Sequence, residues 1–309
     1  MNTVAKKDAV YAFSAANEPV LHVSPGSTVT LETYDCFTDQ IQSADQEVAA
    51  IDWDRINPAT GPVFVEGAKP GDVLRVSIDK LEIGSQGVMV TGPDLGVMGH
   101  RMEKMESKII PIENGKAVFS DQIHLPLNPM IGVIGVAPEG KPVSCGTPGA
   151  HGGNMDTKEI TEGAAVYFPV FTEGALFAAG DFHAAMGDGE ISVSGIEVPG
   201  RVTVTLDLTE GLHLNYPLLA NKDGIALLVS AMTLDEAVKI ATEEMIDLLL
   251  PHTDLSVSEM TMLMSAACHV QVSQVVDPLM TVRFFVPQHI LDSLTIRLLS
   301  GRESESSDF

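Results

Sequence analysis

Through the first 140 residues no helical period is sustained, and this limits the fold more than any other feature of the chain. VLHV, STVTLETYD, GPVFVEG and DVLRVSIDKLEIG each combine β-branched residues with partial alternation of apolar and polar positions. SPGS, NPATGP and AKPGD separate them as turns. Only the stretch from Ser43 to Ile56 keeps apolar residues near helical spacing. Short strands at this density predict a sandwich or a barrel.

The pattern continues past residue 143 and then changes. SCGTPGAHGGNMD is a glycine-rich loop, followed by the strand candidates AAVYFPVF, ALFAAGD, EISVSGIEV and RVTVTLDL. TEG between the first two and PG between the last two read as hairpin turns. Further on, TLDEAVKIATEEMIDLLL and SVSEMTMLMSAACHV carry apolar residues at helical spacing. Thr233 with Glu236, and Ser256 with Glu259, form capping-box patterns, and Pro251 between them predicts a helical hairpin. The strands VQVSQVV and TVRFFVP follow, and the end of the chain is polar.

The expected fold class is α+β and mostly β, with a sandwich-like or barrel-like N-terminal part and a C-terminal α/β part containing the helical hairpin. The organisation predicted is a β-rich domain over 1–142, a segment of loop and hairpins carrying the site over 143–211, the α/β part over 212–300 and a polar tail over 301–309.

Composition excludes some partners. Eighteen Lys and Arg against 42 Asp and Glu give a formal charge of −24. Such a surface repels phosphate backbones and anionic bilayers, so neither a nucleic acid nor a membrane is an expected partner. The three cysteines are too few and scattered for a disulfide framework, and the first residues lack a signal peptide's apolar core. A cytoplasmic protein is expected.

AAGDFHAAMGDGE, residues 178–190, crowds acids, a histidine and glycines between strand candidates. Residues two apart on extended chain point the same way. Asp181 and His183 are therefore expected to converge, and Asp188 with Glu190 to do the same at the mouth of the next strand. A carboxylate beside an imidazole suits zinc or a related divalent ion. GAHGGNMD, residues 149–156, repeats the recipe with His151 and Asp156. Asp35 ends an apolar-alternating strand and is a third contributor. Loops that carry function gather on rigid scaffolds. His124, before a Leu-Pro turn, is a lesser candidate; His22 and His213 are read as packing or surface residues, and His269 as a cation suited to the dipole at a helix end.

PGSTVTLETYD, TGPVFVEGAKPGDVLRV, GVIGVAP, PGAHGGNMDT and GDFHAAMGDGE, in that order, resemble the acetamidase/formamidase family from about Pro25 to Pro287. CFTDQI and PDLGVMGH depart from its pattern, and both border the presumed pocket. The resemblance implies hydrolysis of short aliphatic amides to the acid and ammonia. It also implies a largely β fold, a homo-oligomer such as a dimer, and an associated divalent metal, zinc first and calcium second.

Amide hydrolysis needs a strengthened nucleophile, a stabilised oxyanion and an acid for the leaving nitrogen. A metal-activated water would meet the first need. On this reading Asp35, Asp181 and His183 hold the metal, with Asp156 and Asp188 as further ligand candidates. Glu190 moves the proton, and His151 and Asn154 hold the carbonyl oxygen. Two rivals use the same residues differently. One is a thiol amidase with Cys145 or Cys36 as nucleophile. The other is a β protein that binds calcium for stability, or a small ligand without turnover.

Overall fold

The computed structural model describes residues 2–44, 46, 48–296 and 298. Among them the protein is mostly β, with two large, largely antiparallel sheets and a few C-terminal helices. The polar tail at 301–309 lies outside the described residues.

One sheet orders nine strands, and the alternation in RVTVTLDL explains its middle. Gly200–Thr209 pairs with Ser27–Thr33 on one side and with Val73–Ile83 on the other. Val202, Val204 and Leu206 are fully buried. The outward residues bond across the strands: Thr203 with Thr30 at 3.0 Å, Thr205 with Thr28 at 3.2 Å. Arg201 makes a two-pronged contact with Glu82 at 2.8 and 3.0 Å. One face thus enters the core while the other is closed by polar cross-strand pairs.

The second sheet is built around Phe177–His183, in which all seven residues are buried. Met130–Gly135, Ala59–Val65 and Glu197–Val198 pair with it. The two sheets share one core: Leu31, Val76 and Val204 from the first meet Ile131, Phe177 and Phe182 from the second. Both sheets draw strands from before and after residue 143.

Helix α1 spans Leu234–Leu249 and α2 spans Val257–Ala267. Thr233 Oγ1 accepts the Glu236 N–H at 3.2 Å, and Ser256 with Glu259 completes a reciprocal capping box. Ala237, Ala241, Met245 and Leu249 of α1, with Met260 and Met264 of α2, cover Leu227, Val229, Val282 and Phe284. No described helix is long and apolar enough to cross a membrane.

Four local expectations are corrected. The strand candidates around TEG do not form a hairpin. Ala165–Pro169 belongs to the first sheet and Phe177–His183 to the second. Gly174, Ala175 and Leu176, all at positive φ, turn the chain from one layer to the other. The PG turn is likewise a crossing, because Glu197–Val198 and Gly200–Thr209 lie in different sheets.

EISVSGIEV is a strand only at Glu197–Val198. Positive φ at Glu190 and Val193 breaks the extension. The Ser194 hydroxyl then accepts the Val90 N–H at 3.0 Å, standing in for ladder bonds. Between Ser43 and Ile56 the described residues form two short 3-10 turns, Val48–Ala50 and Trp53–Arg55, not an α-helix. Gln40 diverts the backbone there: its Oε1 accepts the Asp52 N–H at 2.8 Å, a bond an α-helix would need within itself.

Candidate functional site

Asp181 and His183 occupy the last three positions of a fully buried strand, within the sheet and not in the turn after it. Their register draws in the other groups. His183 stands opposite Glu197 on one neighbour and Met130 on the other. Val133 pairs with both Gly180 and Asn154, which brings the end of GAHGGNMD, and so Asp156, alongside Asp181. Gly132 keeps that approach open. A Cβ there would collide with Asp156 Oδ1 and come within 2.9 Å of Asp181 Oδ2.

Four carboxylates surround one imidazole nitrogen. His183 Nε2 lies 3.2 Å from Glu197, 3.5 Å from Asp181, 3.7 Å from Asp156 and 3.9 Å from Glu190. One N–H cannot satisfy four acceptors. Asp156 Oδ1, Asp181 Oδ1, Glu190 Oε2 and Glu197 Oε2 have no hydrogen-bond partner among the described residues, although all are buried. Asp156, Asp181 and Glu190 also hold positive φ, at 38°, 55° and 42°. Left-handed backbone at three non-glycine acids costs energy and clusters at functional sites.

The electrostatics ask for positive charge. Burial pushes Glu190, Glu197 and Asp277 well above the ordinary carboxylate range and Asp156 up to about 6. Burial opposes the charge on Asp181 too, but His183 beside it holds its carboxyl below the ordinary value. Burial alone would lower His183, yet Glu197 and Asp181 raise it well above a free histidine. One imidazolium cannot balance four buried carboxylates, and unbalanced buried charge is costly.

The donors suit a cation. Ligands about 2 Å from a tetrahedral divalent ion stand roughly 3.3 Å from one another, close to the spacings around His183 Nε2. Asp156, His183 and Glu190 form one group able to hold a metal ion; Cys36, Asp181 and Glu197 form another. Asn57 donates to Asp181 Oδ2 at 3.4 Å and accepts from Cys36 Sγ at 3.4 Å, tying the second group together.

The remaining sequence candidates are placed as follows. Asp35 is buried, but its Oδ1 accepts the Asp39 N–H at 2.7 Å, and burial lifts its pKa to about 7. Asp188 Oδ1 receives Arg283 at 3.0 Å and its Oδ2 receives Lys158 at 2.9 Å.

His151 is buried edge-on to Phe13 with Nε2 unpartnered, and burial lowers its pKa to about 4. Asn154 is buried with Oδ1 free. His124 is exposed on the short strand His124–Pro126, and His22 stacks on Phe64. Burial lifts Cys145 to about 12 and Cys36 well above a free thiol.

Glu197, Asn57 and Asp277 went unmarked in the sequence. Glu197 had a usable signal: an acid between Ile196 and Val198, both buried. Asp277 follows the strand His269–Gln274 and reaches Asn154 and Asp156, but VVDPL reads as an ordinary turn.

This geometry occurs in a chain with clear relatives. It superposes with a TM-score of 0.94 on a predicted acetamidase/formamidase from Thermoanaerobacter tengcongensis, at 50% identity over 96% of this chain and 98% of that one. An acetamidase from Bacillus halodurans gives 0.93 at 44% identity, covering 95% and 100%. The acetamidase of Mycolicibacterium smegmatis is 26% identical over 268 residues, 64% of this chain and 65% of that protein. The chain spans about three fifths of the length of the curated relatives it matches. The sequence profile of the Acetamidase/Formamidase family matches residues 13–145 and 143–293. Buried acids and histidine in the family's motifs, its fold and its profile coincide in one molecule: the chain belongs to the acetamidase/formamidase family.

Proposed function

We propose that the protein hydrolyses short aliphatic amides, formamide and acetamide among them, to the carboxylate and ammonia at the His183 cluster. The observation that carries this reading is the ring of four buried carboxylates within 3.9 Å of His183 Nε2 in a chain of this family. Homo-oligomeric assembly is part of the same proposal.

His183, Asp156, Asp181 and Glu197 would hold a divalent cation, zinc before calcium because an imidazole is among the donors. Such an ion, when bound, polarises a carbonyl oxygen and lowers the pKa of water. Glu190 is kept for proton transfer. It is the most distant of the four acids from Nε2, and its Oε2 is unpartnered among the described residues. It takes a proton as water adds to the amide carbon and delivers it to the nitrogen as the C–N bond breaks. His151, neutral at working pH, has one N–H to give, and the side-chain amide of Asn154 has two. Both are assigned to the carbonyl oxygen.

The thiol alternative is disfavoured by the elevated pKa of Cys36 and Cys145, which leaves little thiolate near neutral pH. The test is ammonia release from formamide and acetamide by the wild type and by Glu190→Gln. Loss of turnover with metal content retained supports the assignment; unchanged turnover refutes it.

A further inference from the structure

A cavity of about 730 Å³ opens beside Glu190. Its apolar wall is made by Met89, Phe119, Leu125, Met186, Ile191 and Ile196. Apart from Glu190, the polar groups around it are engaged, the Asn128 side-chain amide with the Lys158 carbonyl at 3.4 Å. Lys158 and Asp188 neutralise each other at 2.9 Å, and the Ser192 and Ser194 hydroxyls bond the Val90 backbone. Glu190 is where the cavity meets the buried cluster.

Formamide and acetamide do not need such a space. A water's share of liquid volume is about 30 Å³, so the four heavy atoms of acetamide would fill roughly 100 Å³. The rest would hold water against apolar walls, an arrangement that an apolar ligand group displaces favourably. Pockets of this size usually enclose ligands far larger than acetamide.

We propose that this cavity is an acyl pocket, and that the protein accepts primary amides whose acyl group is an uncharged chain or ring of about four or more carbons. The proposal rests on the amidase reading above. A primary amide carries its variable group on the carbonyl carbon alone, so with the nitrogen directed to Glu190 the acyl chain extends along the apolar wall. Neutral, internally satisfied walls offer nothing to a charged substituent.

Gly187 provides a test of the pocket that leaves the cluster untouched. It lines the cavity, its backbone lies outside the left-handed region, and a Cβ there meets nothing within 4 Å. Gly187→Phe therefore narrows the space without a built-in clash, while Phe119→Ala widens it.

The experiment measures kcat/KM for acetamide, butanamide, hexanamide and phenylacetamide, and for N-hexylacetamide, with the full metal-containing chain. The proposal expects a rise of about fourfold per added methylene in the acyl series, the amount that burial of a CH₂ supplies. Gly187→Phe should remove that rise and leave acetamide within about twofold, and Phe119→Ala should weaken it, since only the longer chains reach the wall. Turnover of acetamide with a flat or falling series overturns the pocket and leaves the amidase reading standing. A gain for N-hexylacetamide without one for hexanamide overturns the acyl assignment. If no amide is turned over, the amidase reading fails, and calorimetry then decides the pocket: hexanamide must bind more tightly than acetamide, and equal affinities contradict it.

Discussion

Arg283, with 1% of its side chain exposed, donates through both Nη1 and Nη2 to Asp188 Oδ1 at 3.0 Å. That contact ties the Met280–Pro287 strand to the loop that carries Glu190. Ser273 strengthens the tie. Its carbonyl accepts the Gly189 N–H at 2.8 Å, and its hydroxyl pairs with Thr157 at 2.8 Å, next to Asp156. The C-terminal hairpin thus holds two of the site's acid-bearing segments.

Arg283→Met would leave Glu159 without its cation and exposed Asp188 with Lys158 alone. Removing one partner of a fully buried pair costs about 3–5 kcal/mol, and the exposure of Asp188 reduces that here to roughly 2 kcal/mol. Chemical denaturation should register the loss. kcat should fall as well, because the Glu190 loop loses its anchor; unchanged kcat in a folded variant would mean that the anchor does not serve the site.

Much of this was legible in the sequence, for physical reasons. Alternation in RVTVTLDL has period two, so the buried face of that strand could be read directly. The capped helices were legible because Thr233 and Ser256 act locally on their own first turns. Asp181 and His183 meet because they are two apart on one strand.

What could not be read depends on partners distant in sequence. Asp188 binds Arg283, 95 residues away, a pairing that no local pattern announces. Glu197 enters only through its register with His183. The layer crossings at TEG and PG look like hairpins, since turn chemistry fixes local φ and not the sheet that the next strand joins.

Gly132→Ala tests how the acids are brought together. The new methyl group must displace Asp156 or Asp181. Displacing a metal-supporting side chain typically costs 10–100-fold in affinity or activity. Metal titration should show a loss of about that size, with the far-ultraviolet circular dichroism spectrum unchanged. An unaltered titration would separate these acids from metal binding.

The pH dependence of stability follows from the buried acids. Asp35 rises to about 7 and Asp156 to about 6 from an ordinary 3.8, and Glu190 and Glu197 move the same way, in each case first through burial. The folded metal-free chain therefore binds more protons than the unfolded chain from about pH 4 to above pH 7. Stability is fully present below that window and is lost as pH rises through it. Asp181, held low, acts oppositely only below about pH 4, and His151, lowered to about 4, offsets part of the loss up to the free-histidine range. Chelator-treated protein should melt several degrees lower at pH 8 than at pH 5, and a bound cation should flatten the slope. A Tm that rises over this range would contradict the charge assignment.

Thiol reagents should have little effect. Burial keeps Cys145 near 12 and Cys268 near 11, and Cys36 is buried among carboxylates that oppose a thiolate. Iodoacetamide at pH 7.5, a condition with little thiolate at such sites, should leave amide turnover intact. Rapid inactivation that is prevented by substrate would return the thiol mechanism to first place.

The central claim is that the acids around His183 hold a cation that the chemistry requires. Its most direct test is elemental analysis of the purified protein, run in parallel with ammonia release, for the wild type, His183→Ala and Asp181→Ala. The account predicts a divalent metal near one equivalent per chain in the wild type, and joint loss of metal and turnover in both variants. Full turnover in wild-type protein that contains no metal, or in either variant, would contradict it.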